Sequence, residues 1–142
     1  MGNRKIRYFI FGAAVMFLFN SIKTQAQNLE NGKKIYETRC LVCHQADGGG
    51  VPNMNAPLDG STNVVSSDIG RLVKIIKNGF NERVELDGLY YSNSMTPNPD
   101  FTPAQISDVL SFIRTSWSNK ASKVTIAQVQ LALKGNQKTK TK

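Results

Sequence analysis

Apolar residues recur at helical spacing in three stretches of the chain. From about Leu29 to Cys40, Gly32, Ile35 and Tyr36 share one face, and Asn28 is placed to cap the helix. From Ser66 or Ser67 to about Lys77, Ile69, Leu72, Val73 and Ile76 fall at i, i+3, i+4 and i+7, and Asn78-Gly79 is a stop signal. The third stretch opens at Thr102-Pro-Ala-Gln105, a capping box with proline at the first helical position. Its stripe is Ile106, Val109, Leu110 and Ile113, widened by Phe112, and it ends near Trp117. A second capping box, Thr125-Ile-Ala-Gln128, predicts a short fourth helix that stops before Gly135. Only Arg83 to Tyr91 alternates, around Asp87-Gly88, which predicts a hairpin with a type I′ turn. The pattern is all-α with one hairpin. Two features strain it. Gly32 costs its helix about 1 kcal/mol against alanine, which close approach of another helix would explain. Residues 45–63 hold four glycines and two prolines without periodicity, a loop long enough to expect that it wraps a cofactor.

The N-terminus is patterned differently. Arg4, Lys5 and Arg7 precede a 12-residue apolar run from Tyr8 to Phe19. A membrane-spanning helix needs roughly 20 such residues, and a signal-peptide core about 7–15. Thr24 and Ala26 suit the −3 and −1 positions of a cleavage site. Residues 1–26 therefore read as a signal peptide, 27–135 as the folded domain and 136–142 as a disordered basic tail. The alternative is an uncleaved anchor extended through Ile22.

The net charge of +8 sits at the chain ends, four positive charges in residues 1–26 and four in 134–142. Residues 27–133 balance ten basic against ten acidic side chains, so no folded basic face for nucleic acid is expected. Two cysteines and one histidine exclude a four-cysteine zinc site and a cysteine-held iron–sulfur cluster.

The candidate chemistry lies in Cys40-Leu41-Val42-Cys43-His44, a C-x-x-C-H sequence that reads as a c-type haem attachment site. Two thiols three residues apart on a turn can each add to one vinyl group of a porphyrin, and the next residue directs its imidazole at the iron. The export signal agrees with that chemistry. A thioredoxin-like redox pair would follow a strand, and none is patterned before Cys40. Zinc would need consecutive Cys43 and His44 on one tetrahedral ion and lacks a second ligand pair.

With His44 the only histidine, a sixth ligand to haem iron must come from elsewhere, and methionine is the candidate. Met1 and Met16 lie in the signal peptide. Met54 follows His44 by ten residues, on the same side of the attachment loop. Met95 follows by 51, after two intervening elements that can carry the chain to the opposite face of the ring. Met95 is the expected ligand.

This order, helix, C-x-x-C-H, long loop, helix, methionine loop and capped helix, resembles a class I cytochrome c from about Asn28 to Leu133. A narrower resemblance rests on the Val84–Tyr91 hairpin, Met95, Phe112-Ile-Arg, Trp117-Ser-Asn-Lys-Ala121 and Val124-Thr125. Those match small cytochrome c domains associated with periplasmic dehydrogenases and copper nitrite reductases. The resemblance implies three main helices wrapped around one covalent haem c, with a short hairpin before the axial-methionine loop and the Gly32–Tyr36 helix crossing Val109, Phe112 and Ile113. It implies thioethers at Cys40 and Cys43 and axial ligands at His44 and Met95. It further implies a periplasmic, non-enzymatic electron carrier between a donor dehydrogenase and an acceptor oxidase or reductase, with no membrane span after cleavage. A cytochrome subunit of a larger complex, or a haem enzyme with an open sixth site, are the alternatives. Two departures stand out. Thr96 intervenes between Met95 and Pro97. Ala56-Pro57-Leu58 replaces Pro-Pro-Leu, so the carbonyl that accepts the ring N–H of the haem histidine in the family would here belong to Ala56.

Overall fold

Among the residues described by the computed structural model, 29–86 and 88–138, four helices of ten or more residues bring the apolar stripes of the sequence onto one core. They are α1 (residues 29–39), α4 (Ile69–Asn78), α5 (Pro103–Thr115) and α6 (Ile126–Lys138). Two one-turn helices, α2 (Leu41–His44) and α3 (Thr62–Val65), lie between α1 and α4. The hairpin β1 (Val84–Leu86) and β2 (Leu89–Tyr91) pairs Leu86 with Leu89 and Val84 with Tyr91, as the Asp87-Gly88 signal predicts. The signal-peptide segment, the Asn28 cap, Asp87 with the type I′ turn expected there, and residues 139–142 lie outside the described residues.

The core joins Ile35 and Tyr36 of α1, Leu72, Val73 and Ile76 of α4, and Ile106, Val109, Leu110 and Ile113 of α5. Val129 of α6 is fully buried in the same cluster, and α6 packs on both α4 and α5. Helix α1 crosses α5 at Gly32, where a Cβ would stand 2.2 Å from the Asp108 carbonyl oxygen. That contact explains the mid-helix glycine.

Both capping boxes form. Thr102 N–H donates to Gln105 Oε1 at 2.9 Å and Gln105 N–H returns a bond to Thr102 Oγ1. Thr125 and Gln128 do the same at α6. Two expectations are corrected. Helix α4 is capped by Asp68, which accepts from Arg71 N–H at 2.9 Å, and not by Ser66 or Ser67. The Ser66 hydroxyl is already donating to the Asn63 carbonyl at the end of α3. The fourth helix is as long as α5 and does not stop before Gly135, so residues 136–138 are helical and not tail. Helix α5 ends at Thr115, near Trp117 as expected.

One buried charge ties these parts together. Arg114, 2% exposed, donates to the carbonyls of Val64 (2.5 Å), Ser66 (2.8 Å) and Ser122 (2.9 Å). Replacing it with methionine keeps much of the apolar stem but leaves three carbonyls without their donor. The expected loss is about 2–4 kcal/mol, read from chemical unfolding of the holoprotein.

Candidate functional site

The C-x-x-C-H sequence folds as a single helical turn. The N–H groups of Cys43 and His44 both donate to the Cys40 carbonyl, and Gln45 N–H donates to the Leu41 carbonyl. In such a turn residues three and four apart share a face, so Cys40, Cys43 and His44 all line one cleft. Neither cysteine is in a disulfide. Burial pushes the Cys40 thiol up to about 11, with Arg39 opposing and Cys43 adding to the rise. Redox-active C-x-x-C pairs work with a lowered thiol pKa, so this environment speaks against that alternative.

His44 Nδ1 lies 3.0 Å from the Ala56 carbonyl oxygen. A carbonyl only accepts, so Nδ1 carries the proton and Nε2 keeps its lone pair for a metal. Burial lowers the imidazole pKa, partly offset by that bond, which favours the neutral, ligating form. The departure at Ala56 therefore costs no hydrogen bond.

The cleft measures about 470 Å³, within the range of cofactor sites. Its walls include Leu72 and Ile76 of α4, Val109, Leu110 and Ile113 of α5, and Leu58 and Phe101 from loops. Met95 lines it and packs against the core. Met54 does not line it and is half exposed. Met54 contributes its backbone instead, since its carbonyl accepts from Asn93 N–H at 3.0 Å.

Met95 is held by an antiparallel bridge to Phe80, with Met95 N–H donating to Phe80 O at 2.7 Å and Phe80 N–H to Met95 O at 3.0 Å. Gly79, at φ +75°, makes room for this, because a Cβ there would meet the Met95 carbonyl oxygen at 2.4 Å. On the attachment side, the Tyr36 hydroxyl donates to the Gln45 carbonyl at 2.6 Å and Trp117 Nε1 donates to the Ala46 carbonyl at 3.0 Å. The two rings stack edge-on, 5.4 Å apart. Asn119 donates to the carbonyls of Leu58 and Ile113 and accepts from Gly60 N–H. Ser118 donates through its backbone and hydroxyl to Asp59. The Trp117–Asn119 segment thus fixes the long loop that lines the cleft. In the sequence this segment stands out only as a likeness. Phe80 does not stand out at all, and the glycine beside it is the one available signal.

The residues present fit a covalently held haem: two free thiols one turn apart, a histidine with its tautomer set, and a largely apolar cleft. The comparisons agree. The family model described as Cytochrome c matches residues 29–117. The cytochrome c subunit of a quinone-dependent alcohol dehydrogenase from Gluconacetobacter polyoxogenes is 39% identical over 103 residues, covering 69% of this chain and 21% of that protein. Cytochrome c-552 of Thermus thermophilus is 32% identical over 92 residues, covering 63% of this chain and 70% of that protein. The subunit from Gluconobacter oxydans is 28% identical over 98 residues and is matched over 19% of its length. The chain therefore spans about a fifth of the dehydrogenase subunits it resembles. It belongs to the cytochrome c family and, as a member of it, carries one covalently attached haem c.

Proposed function

We propose that this chain is a one-electron carrier whose haem iron is closed by His44 and Met95. The observation that carries the reading is the shared cleft: His44, with Nδ1 engaged, and Met95 both line it, while Met54 lies outside. When bound, haem supplies a ferric/ferrous couple, and a thioether ligand favours the ferrous state. Cys40 and Cys43 would hold it by thioethers, and His44 Nε2 and Met95 Sδ would ligate its iron. The apolar walls from α4 and α5 would keep water from the iron, and the Phe80 bridge holds the Met95 backbone in place. Val42, 81% exposed at the rim of the cleft, marks a surface for brief contact with redox proteins.

The likeness to a quinone alcohol dehydrogenase subunit supports a dehydrogenase as electron donor, either across a transient contact or within one complex. An oxidase or reductase would accept the electron. The apolar run at Tyr8–Phe19 supports export to the periplasm with cleavage after Ala26. Among the described residues no helix is long and apolar enough to cross a membrane.

The reading is tested on the purified holoprotein. It should take up one electron per chain reversibly, and the ferrous form should bind carbon monoxide only slowly. Prompt binding would show an open sixth site, and the closed-carrier reading would fall.

A further inference from the structure

Arg39 ends α1 one residue before Cys40, and its side chain reaches the segment that follows Met95. Nη1 donates to Asp100 Oδ2 at 2.9 Å, and Nη2 donates to Asp100 Oδ1 at 3.0 Å and to Asn98 Oδ1 at 3.1 Å. The guanidinium carbon lies 4.9 Å from the Phe101 ring centre. Asn98 is almost buried and passes the tie onward. Its backbone N–H and its Nδ2 both donate to the Ile76 carbonyl, and Nδ2 also reaches the Thr96 carbonyl. Three elements thus meet behind Met95: the end of α1, the methionine loop and the last turns of α4.

An ordinary surface ion pair contributes little. This one differs in three respects. It is a two-point fork, it shares one nitrogen with a buried amide, and it joins residues 59 and 61 apart in sequence. Upstream, Met95 is fixed by Phe80. Downstream, Lys77 Nζ donates to the carbonyls of Pro99 and Phe101, so the far end of the loop has its own anchor. Between these two anchors, among the described residues, Arg39 is the cation bonded to the side chains of the loop.

We propose that Arg39 is a positioning residue for Met95: with Asn98 and Asp100 it forms a latch that holds the methionine loop against the cleft and sets how often the loop opens. This rests on the reading of Met95 as an iron ligand. Opening of this kind is local and needs less free energy than global unfolding, so the latch is read most directly in access to the iron.

The test mixes oxidised holoprotein with saturating imidazole and follows the change in the main haem absorption band, whose rate then reports loop opening. Arg39→Gln and Asp100→Asn should each speed capture about two- to fivefold, the scale of a two-point ion pair whose side chains are 40% and 60% exposed. The double variant should be no faster than the faster single. Arg39→Lys, which keeps the charge without the fork, should recover little of the loss. Global stability should fall by no more than the same factor, because the unfolded chain lacks the fork too. Thr125→Ala, which removes the α6 cap away from the loop, should instead lower stability without speeding capture. Unchanged rates, singles whose effects multiply in the double, or an equal rate gain in Thr125→Ala would each overturn the latch. If Arg39→Gln fails to mature beside Cys40, Asp100→Asn and Asn98→Ala probe the same latch from the loop side, and unchanged capture rates in both would overturn it. A parent protein that captures imidazole as fast as Met95→Ala would remove the ligand reading and the latch together. A slow parent with unmoved variants would remove the latch alone.

Discussion

Gly32→Ala should cost the holoprotein at least about 3 kcal/mol, at or beyond the upper end for overpacked sites. In most helices the same change is favourable by about 1 kcal/mol. Here the new Cβ would lie 2.2 Å from the Asp108 carbonyl oxygen, 2.7 Å from its carbon and 2.9 Å from Phe112 Cβ. Two of the three are backbone atoms of α5, so no rotamer change relieves the overlap. The helices must separate, and with them Asn31 Nδ2 leaves Asp108 Oδ2, now 2.6 Å away. Separation also loosens Tyr36 and Phe112, whose rings are 5.5 Å apart beside the attachment loop. Trimming Phe112 to alanine should therefore give no rescue. Gly135→Ala is the control. It sits in α6 with nothing within 4 Å of a built Cβ, and should be neutral or slightly stabilising. Chemical unfolding of both variants decides the matter. Equal midpoints for Gly32→Ala and the parent would mean that α1 and α5 do not meet this closely.

What the sequence disclosed follows the range of each interaction. Capping boxes at Thr102 and Thr125, the strand pairing on either side of residues 87–88 and the stripe of α4 are local patterns, and each has its structure. Gly32 was legible as an anomaly, and its explanation lay in another helix. The misreadings are of two kinds. Helix α3 is one turn, too short to show periodicity, and it straddles the end of the stretch, residues 45–63, that reads as loop. Helix α6 passes Gly135 because Val129, Ala132 and Leu133 anchor it on the core, which offsets the local preference to stop. At the site, the cysteines and His44 form a local motif. The groups that hold them in place do not. Trp117 reaches Ala46 across 71 residues, Asn119 reaches Leu58 across 61, and Arg39 reaches Asp100 across 61. Side chains bonded to distant carbonyls and carboxylates leave no spacing to read.

Met95→Ala should convert a closed iron into a binding site, while Met54→Leu should leave it closed. In the parent, a small exogenous ligand must wait for the methionine loop to open. If the open form is a minor state of about 0.1–10%, deleting the thioether raises apparent affinity by about 10–1,000-fold. The weak long-wavelength sulfur-to-iron absorption should vanish and the reduction potential should fall, because the ligand favouring ferrous iron is gone. The fold should largely survive, since the Phe80 bridge and the Asn98 bonds involve the backbone at residue 95 and a neighbouring side chain. Met54→Leu changes a side chain that is 49% exposed and leaves its backbone bonds to Val51 and Asn93 untouched. Stability should move by no more than about 0.5 kcal/mol, and the sulfur band should persist. Titration of both ferric variants with cyanide, beside their absorption spectra and potentials, separates the cases. If Met54→Leu lost the band and Met95→Ala kept it, the chain would wrap the ring by another path, although the thioether anchors at Cys40 and Cys43 would stand. If neither change mattered, the sixth ligand would not be methionine, and the electron-carrier reading would lose the closed iron on which it depends.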